Sequence, residues 1–516
     1  MDTIVILDFG SQYTQLIARR IRELQVYSII MPGTAPFSYY YNETVKGIIL
    51  SGSPYSVYDE KSPVPDPAVY SANIPVLGIC YGAQYTTKFY GGSVERLPDR
   101  EYGQRPVYLA KSDILFTGIP EKFNSWMSHG DSIEKIPPGF VILAKTDNNI
   151  PAAIRKENSL IYGVQFHPEV THCEFGTELL DNFISKICMC KKEWNMQAYI
   201  EAMEHTLIQK VKGTPLVLLI SGGVDSTVAG ALLLKLFSPE QVHLLYIDTG
   251  LMRNAETEEV IQTLNMLGAK HIHILHEEEN FLDALKGKTD PEEKRKIIGD
   301  KFVTVQENAV QSLGITDCIL VQGTLYTDLI ESGKGVGTHA QVIKSHHNVR
   351  SPLIEKKRNE GKLLEPLDRL YKDEVRELGR ALGLPETIVS RHPFPGPGLA
   401  VRILGEVTKE SCDLLRTVDE VYIDFLRKHG LYSKIWQAFA VLLPIKSVGV
   451  AGDERKYGYT VALRAVESRD GMTADVFEFD MKELKELSSL VTNKIPGIGR
   501  VVYDISSKPP ATIEWE

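Results

Sequence analysis

The sequence predicts an α/β chain: two successive α/β domains with mainly parallel sheets, followed by a smaller α+β domain. Three observations lead there. Short apolar runs alternate with helical stretches in two separate series, each opened by a strand. At 516 residues and 43% hydrophobic content the chain is too long for one core, and several domains of roughly 100 to 200 residues are expected. Finally, His392-Pro393-Phe394-Pro395-Gly396-Pro397-Gly398 interrupts the second series, because its prolines lack N–H donors and fix φ.

The first series holds the strand-like runs Ile4 to Leu7, Ile48 to Leu50 and Val76 to Ile79, a helical stretch from Thr14 to Leu24, and a last strand from Ile161 to Phe166. After the amphipathic stretch Glu178 to Cys190, polar Lys191-Lys192-Glu193 marks a boundary, giving a first domain over 2–193. The second domain, 194–391, has strands at Leu216 to Ile220, Val242 to Ile247, His271 to Leu275 and Cys318 to Val321, and a helix from Lys372 to Leu382 stopped by Gly383. The third, 392–516, carries strand-like runs at Leu399 to Leu404, Ala438 to Val448, Tyr459 to Val466 and Val501 to Ile505, with two helices.

Composition excludes several classes of function. A formal net charge of -10 argues against a phosphate-neutralising surface, so no nucleic-acid partner is expected. Met1 to Asp8 runs straight into a strand pattern, with no basic leader and no long apolar span, so neither export nor a membrane partner is expected. Six sparse cysteines, none in a CxxC pair, fit a reduced, cytoplasmic setting.

Gly78-Ile79-Cys80-Tyr81-Gly82 lies between an apolar run and an expected helix, the context in which a nucleophile flanked by glycines makes a sharp elbow. Such a turn exposes the thiol and sets it at a helix N-terminus, whose partial positive charge favours thiolate. A core cysteine in a glycine-rich turn is the alternative. Gln165-Phe166-His167-Pro168-Glu169 weighs against it, because an imidazole at a strand end with a carboxylate two residues on supplies a general base and its orienting partner.

These residues resemble the class I glutamine amidotransferase family, with Gly78 to Gly82 as nucleophile motif and His167-Pro168-Glu169 as its partner. The resemblance implies Cys80 as nucleophile, His167 as base and Glu169 as orienter. It also implies an oxyanion hole of backbone N–H groups from Tyr81 and from Ser53 in the loop Ser51-Gly52-Ser53-Pro54. Ser53 stands where the family usually has glycine, and Ala83 where methionine is usual. Trp126-Met127-Ser128-His129-Gly130-Asp131 resembles the family's glutamine-side segment, and a capped turn explains the same cluster equally well.

Leu216 to Ile220, then Ser221-Gly222-Gly223-Val224-Asp225-Ser226-Thr227, then an Ala/Leu-rich helix, is a strand, a small-residue loop and a helix N-terminus. That arrangement aims N–H groups and hydroxyls at an anion. The string resembles the PP-loop of the ATP pyrophosphatase family, which implies ATP cleavage between the α and β phosphates with Mg²⁺ required. Asp225 is a candidate metal ligand, with a solvated helix-cap carboxylate as its alternative, and Asp248 ends a strand at the same sheet edge.

A glutaminase joined to an ATP-activating domain implies amination of an activated carbon. The PP-loop, Ile6 to Tyr13, Tyr246 to Leu251, the His392 to Leu399 segment and the tail Lys508-Pro509-Pro510 to Glu516 together resemble the GMP synthetase family over essentially the whole chain. The resemblance implies glutamine, ATP and xanthosine monophosphate as substrates, a homodimer formed by the third domain, and a tail in which Lys508 meets the nucleotide phosphate and Glu514 another polar group. The tail's Trp515 is expected to bury against a neighbouring domain. Other readings are a PP-loop amidotransferase acting on a carboxylate, and a non-catalytic nucleotide-sensing scaffold.

Overall fold

The computed structural model describes residues 1–315, 317–326, 328, 352–451, 454–468 and 473–516. They form two compact units, one built on Met1–Tyr199 and the other on Ile200–Tyr326 with the described residues from Pro352 to Glu516.

The first unit is organised by a nine-stranded sheet. Five strands, Tyr27–Pro32, Thr3–Asp8, Val45–Leu50, Val76–Ile79 and Ile161–Val164, run parallel in that spatial order. Val76–Ile79 and Ile161–Val164 are buried at every position, as strands covered on both faces must be. Antiparallel strands Pro151–Lys156, Phe140–Thr146, Ser93–Leu109 and Lys122–Lys135 extend the sheet beyond Ile161–Val164. The expected mainly parallel sheet is a mixed one, with five of its nine strands parallel. Trp194 donates its N–H to the Gln25 carbonyl at 2.9 Å and packs on the Tyr27 ring at 4.8 Å, which carries the packing of this unit past Glu193.

In the second unit His271–His276, Val242–Asp248, Leu216–Ile220, Ile319–Val321 and Leu363–Leu364 make an all-parallel sheet. Downstream, Gln437–Ala451 and Glu454–Glu467 form a long antiparallel pair, and Ile498–Tyr503 joins the second of these strands in parallel. Helices Lys409–Lys428 and Met481–Lys494 supply Leu415, Val418, Tyr422, Leu487 and Val491 to its core. The same cluster includes Ile247, Leu251 and Phe281 beside the parallel sheet, so one continuous apolar core joins the two layers.

The run Leu399 to Leu404 is not a strand. Gly398–Val401 is a 3₁₀ turn, and the Leu399 N–H is spent on the Leu251 carbonyl at 2.8 Å. Its apolar side chains are buried because the proline segment docks into this core. A short apolar run reads the same in either conformation.

Candidate active sites

The turn at Cys80 is built by what its neighbours lack. Cys80 has φ +53° and caps the helix Tyr81–Phe89, a left-handed backbone that is uncommon outside glycine. A Cβ on Gly78 would lie 2.5 Å from the Gly82 backbone, and one on Gly82 would lie 2.4 Å from the Leu50 carbonyl oxygen. No side chain fits either position, so the two glycines are steric requirements of the elbow. The thiol is nonetheless 5% exposed, a correction to the expected exposed nucleophile. Gln165, whose Nε2 is 4.0 Å from Sγ, and buried His167 close over it.

His167 Nδ1 and Glu169 Oε1 lie 2.7 Å apart, and Glu169 is fully buried. The His167 N–H bonds the Trp126 carbonyl at 2.9 Å, and the Tyr13 ring meets the imidazole edge-on at 4.9 Å. Burial alone would lower the basicity of His167. The Glu169 carboxylate and a side-chain hydrogen bond with Cys80 oppose it and leave the imidazole well above its ordinary value. The loop after Leu50 lies against this ring, since a Cβ on Gly52 would come 3.3 Å from His167 Cε1. Ser53 is not among the described residues with left-handed φ, so replacing the usual glycine costs no strain here, and its Oγ bonds the Phe9 carbonyl at 2.8 Å.

Trp126 to Asp131 lies within the strand Lys122–Lys135 and is not a turn. Its hairpin register sets His129 opposite Glu101, with Nε2 and Oε2 3.5 Å apart and both side chains buried. Sequence reading passed over Glu101, which only this register brings to the site. Gln84 Nε2 also reaches the Asp131 carbonyl at 2.7 Å.

In the second unit Ser221 to Gly223 link the strand Leu216–Ile220 to the helix Val224–Leu236. Ser226 Oγ accepts the Ser221 N–H at 3.1 Å, and Thr227 Oγ1 donates to the Gly223 carbonyl at 2.9 Å. Gly222 takes φ +79°, the left-handed conformation that this tight turn demands. Asp225 is no solvated cap: both carboxylate oxygens accept from Lys372 Nζ at 2.6 Å. Lys372 is the first residue of the helix Lys372–Ala381 and carried no signal of its own in the sequence. Asp248 ends the neighbouring strand and spends its oxygens on the Gly250 N–H and the Thr257 hydroxyl.

The tail is anchored. Ile513 is buried, while Trp515 is 37% exposed with its indole N–H on Asp504 at 2.9 Å, so the apolar anchor is two residues earlier than expected. The Lys508 backbone pairs with Ala474. Glu514 accepts from fully buried Arg402 at 2.8 and 3.1 Å and from Gln437 Nε2 at 2.6 Å. Arg402 lies over the Phe394 and Phe439 rings at 4.9 and 4.1 Å. Lys294, buried completely, donates to Glu516 at 2.6 Å.

Two buried imidazoles make the protein acid-sensitive. Burial lowers both His129 and His392 from 6.5 to about 4. The unfolded chain therefore binds a proton between pH 6.5 and 4 that the folded site refuses, so the stability these groups contribute is complete above pH 6.5 and is lost as pH falls toward 4. Each is worth roughly 3 kcal/mol over that window. His392→Gln should flatten the acid limb of the second unit's urea-unfolding midpoint, and an unchanged slope would remove His392 from this account.

Comparison with known proteins identifies the family of each part of the chain. The chain matches the glutamine amidotransferase class-I family over residues 5–187, the NAD synthase family over 196–304 and the GMP synthase C terminal domain over 424–515. The GMP synthases (glutamine-hydrolyzing) of Carboxydothermus hydrogenoformans and Aquifex aeolicus are each 48% identical over 513 residues, 99% of this chain and 99% of their own. That of Thermosipho africanus is 48% identical over 519 residues, 100% of both chains. The chain belongs to the glutamine-hydrolysing GMP synthase family.

Proposed function

We propose that this chain converts xanthosine 5'-monophosphate to GMP, using ammonia from glutamine and cleaving ATP to AMP and pyrophosphate through an adenylyl intermediate. The observation that carries this reading is the end-to-end agreement with glutamine-hydrolysing GMP synthases, which leaves no part of the chain without a counterpart. The work divides among a glutaminase domain over 2–193, an ATP pyrophosphatase domain over 194–391 and a nucleotide-substrate and dimerisation domain over 392–516.

In the glutaminase, Cys80 Sγ attacks the glutamine carboxamide carbon while His167 takes the thiol proton and passes it to the departing ammonia. Glu169 holds the imidazole in place, as the 2.7 Å contact supports. Backbone N–H groups of Tyr81 and Ser53 face the oxyanion, and water then releases glutamate. In the second unit the xanthine carbonyl oxygen attacks the α-phosphorus of ATP. Ser221, Gly222, Gly223, Val224, Asp225, Ser226 and Thr227 receive the leaving pyrophosphate, and ammonia displaces AMP.

Mg²⁺ supplies charge neutralisation on the phosphates. Hard carboxylate oxygens suit that ion, which binds through one or two carboxylates plus phosphate oxygens rather than a protein cage. Asp225 fits this role once Lys372 yields one of its oxygens. Among the described residues no group of three His, Cys, Asp or Glu is arranged to hold a metal.

Lys508 and Glu514 border the nucleotide-substrate pocket, Lys508 for the phosphate. Arg402 Nη1 is buried without a hydrogen-bond partner beside Glu514, and a carbonyl or phosphate oxygen of the ligand would satisfy it. The chain acts as a cytoplasmic homodimer, to which Ile445, Val448 and Tyr457, all exposed on the long hairpin, offer apolar surface.

Glutamine labelled with ¹⁵N in its amide, supplied with ATP and xanthosine monophosphate, should yield labelled GMP, AMP and pyrophosphate. Unlabelled product, or ADP with orthophosphate, would overturn the reading. At the tail, deletion is a poor test because it strands buried Arg402 and Lys294, at ~3–5 kcal/mol for each broken buried pair. Lys508→Ala should instead raise the KM for xanthosine monophosphate about tenfold, one charged hydrogen bond. An unchanged KM in a folded variant would make Lys508 a bystander.

A further inference from the structure

We propose that Arg391 is a positioning residue for the pyrophosphate-binding loop: by holding the Gly222 carbonyl it locks the Gly222–Gly223 peptide so that the Gly223 N–H faces the phosphates. The inference rests on the reading that Ser221 to Thr227 hold the pyrophosphate of ATP.

Arg391 Nη1 donates to the Gly222 carbonyl oxygen at 2.9 Å and reaches Glu256 Oε1 at 3.3 Å, while Nη2 pairs with Glu259 Oε2. Its side chain is 9% exposed and that of Glu256 2%. Glu256 is fixed in turn, because its Oε2 accepts the Arg253 N–H at 3.0 Å. The loop rests directly on this carboxylate: a Cβ on Gly222 would come 3.0 Å from Glu256 Oε1. On its other side, the residue after Arg391 ties the segment to the third domain. His392 stacks on the Tyr432 ring at 3.8 Å and accepts the Ala438 N–H at 3.2 Å. Arg391 therefore has little freedom to move away from the loop.

The consequence follows from peptide geometry. Gly222, at φ +79°, is followed by another glycine, and such a pair resists a peptide flip weakly because neither residue carries a Cβ. A flipped peptide would turn its carbonyl toward the phosphates. In a trans peptide C=O and N–H point in opposite directions, so holding the Gly222 oxygen on one side commits the Gly223 N–H to the other. That N–H makes only a 3.4 Å bond to Ser221 Oγ, which leaves it able to donate to an anion. Hydrogen bonding to the carbonyl also polarises the amide and strengthens the N–H as a donor. With Glu256 and Glu259 against it, the guanidinium brings no net positive field to the phosphates, so its contribution is orientation rather than attraction.

Arg391→Lys separates these roles. It keeps a cation against buried Glu256, whereas Arg391→Ala would strand that carboxylate, but an ammonium cannot span three acceptors in one plane. With saturating ammonia, the KM for ATP should rise about tenfold or more, the loss of one charge-assisted hydrogen bond, at a melting temperature near the wild-type value. A KM within about twofold of wild type would overturn the inference, whether or not the melting temperature falls, since a purely structural or purely electrostatic role predicts that result. Product analysis of the wild type keeps the two readings apart. ADP and orthophosphate would remove the loop assignment, whereas AMP and pyrophosphate with an unchanged KM in Arg391→Lys would remove only the role of Arg391.

Discussion

Cys80→Ala should abolish glutamine-dependent synthesis, by at least about a thousandfold, while synthesis from free ammonia continues. The size of the effect follows from the elbow. Alanine puts no thiol or hydroxyl at φ +53° between Gly78 and Gly82, and His167, bound to Glu169, is left without the thiol whose proton it takes in the proposed mechanism. Alanine has the same Cβ as cysteine and leaves the turn intact, so the loss is chemical and the fold is preserved. The second unit needs only NH₃ as nucleophile. Rates of glutamate release and of GMP formation, each measured with glutamine and with ammonium, check this, and a Cys80→Ala protein that kept its glutaminase rate would falsify the assignment.

Asp225→Ala and Gly222→Val should each stop AMP and pyrophosphate formation with either nitrogen source, by about a hundredfold or more. The two act differently. Asp225→Ala removes the carboxylate that Lys372 grips with both oxygens, so the lysine loses its position and the proposed Mg²⁺ ligand is gone. Gly222→Val forces a β-branched residue into φ +79° and drives its Cβ to within 3.0 Å of Glu256, a backbone that costs roughly 1–2 kcal/mol for an L side chain before any clash. Glutamine hydrolysis at Cys80 should survive both. Retained pyrophosphate release in folded Asp225→Ala would place the phosphate grip elsewhere.

The two strand-turn-helix elements were legible because each is local in sequence. A strand, a turn of small residues and a helix N-terminus fit within about ten consecutive positions, and steric demands on so short a stretch leave a readable mark. What the sequence hid is what tertiary register assembles. Glu101 meets His129 only through the pairing of Ser93–Leu109 with Lys122–Lys135, and Trp126 to Asp131 left a capped turn open as an alternative because a Ser/His/Gly/Asp cluster also suits turns, whereas it lies on a strand. Arg391 was only the last residue of the expected second domain, and nothing in its neighbours announces a carbonyl 169 residues away. Lys372 was the unremarked first residue of a helix. At Leu399 to Leu404 the apolar run suggested a strand, whereas the chain makes a 3₁₀ turn there and docks against Leu251. The antiparallel half of the first sheet was missed for a similar reason: half-buried alternation is a weaker signal than the continuous apolar runs of the parallel half.

The closed elbow also sorts the cysteines as targets for covalent chemistry. All six thiols are free and buried, so a small indiscriminate alkylating agent meets none of them in the open. Burial further raises Cys173 and Cys412 to about 12 and pushes Cys188 and Cys318 up as well, which withholds the reactive thiolate at four of them. On the proposed mechanism, an electrophile shaped like glutamine enters by the substrate's own route and arrives at Cys80 beside the base His167. Selectivity for Cys80 is therefore a matter of the warhead's shape more than its reactivity, and a mild electrophile on the right side chain outperforms a hot one on the wrong one.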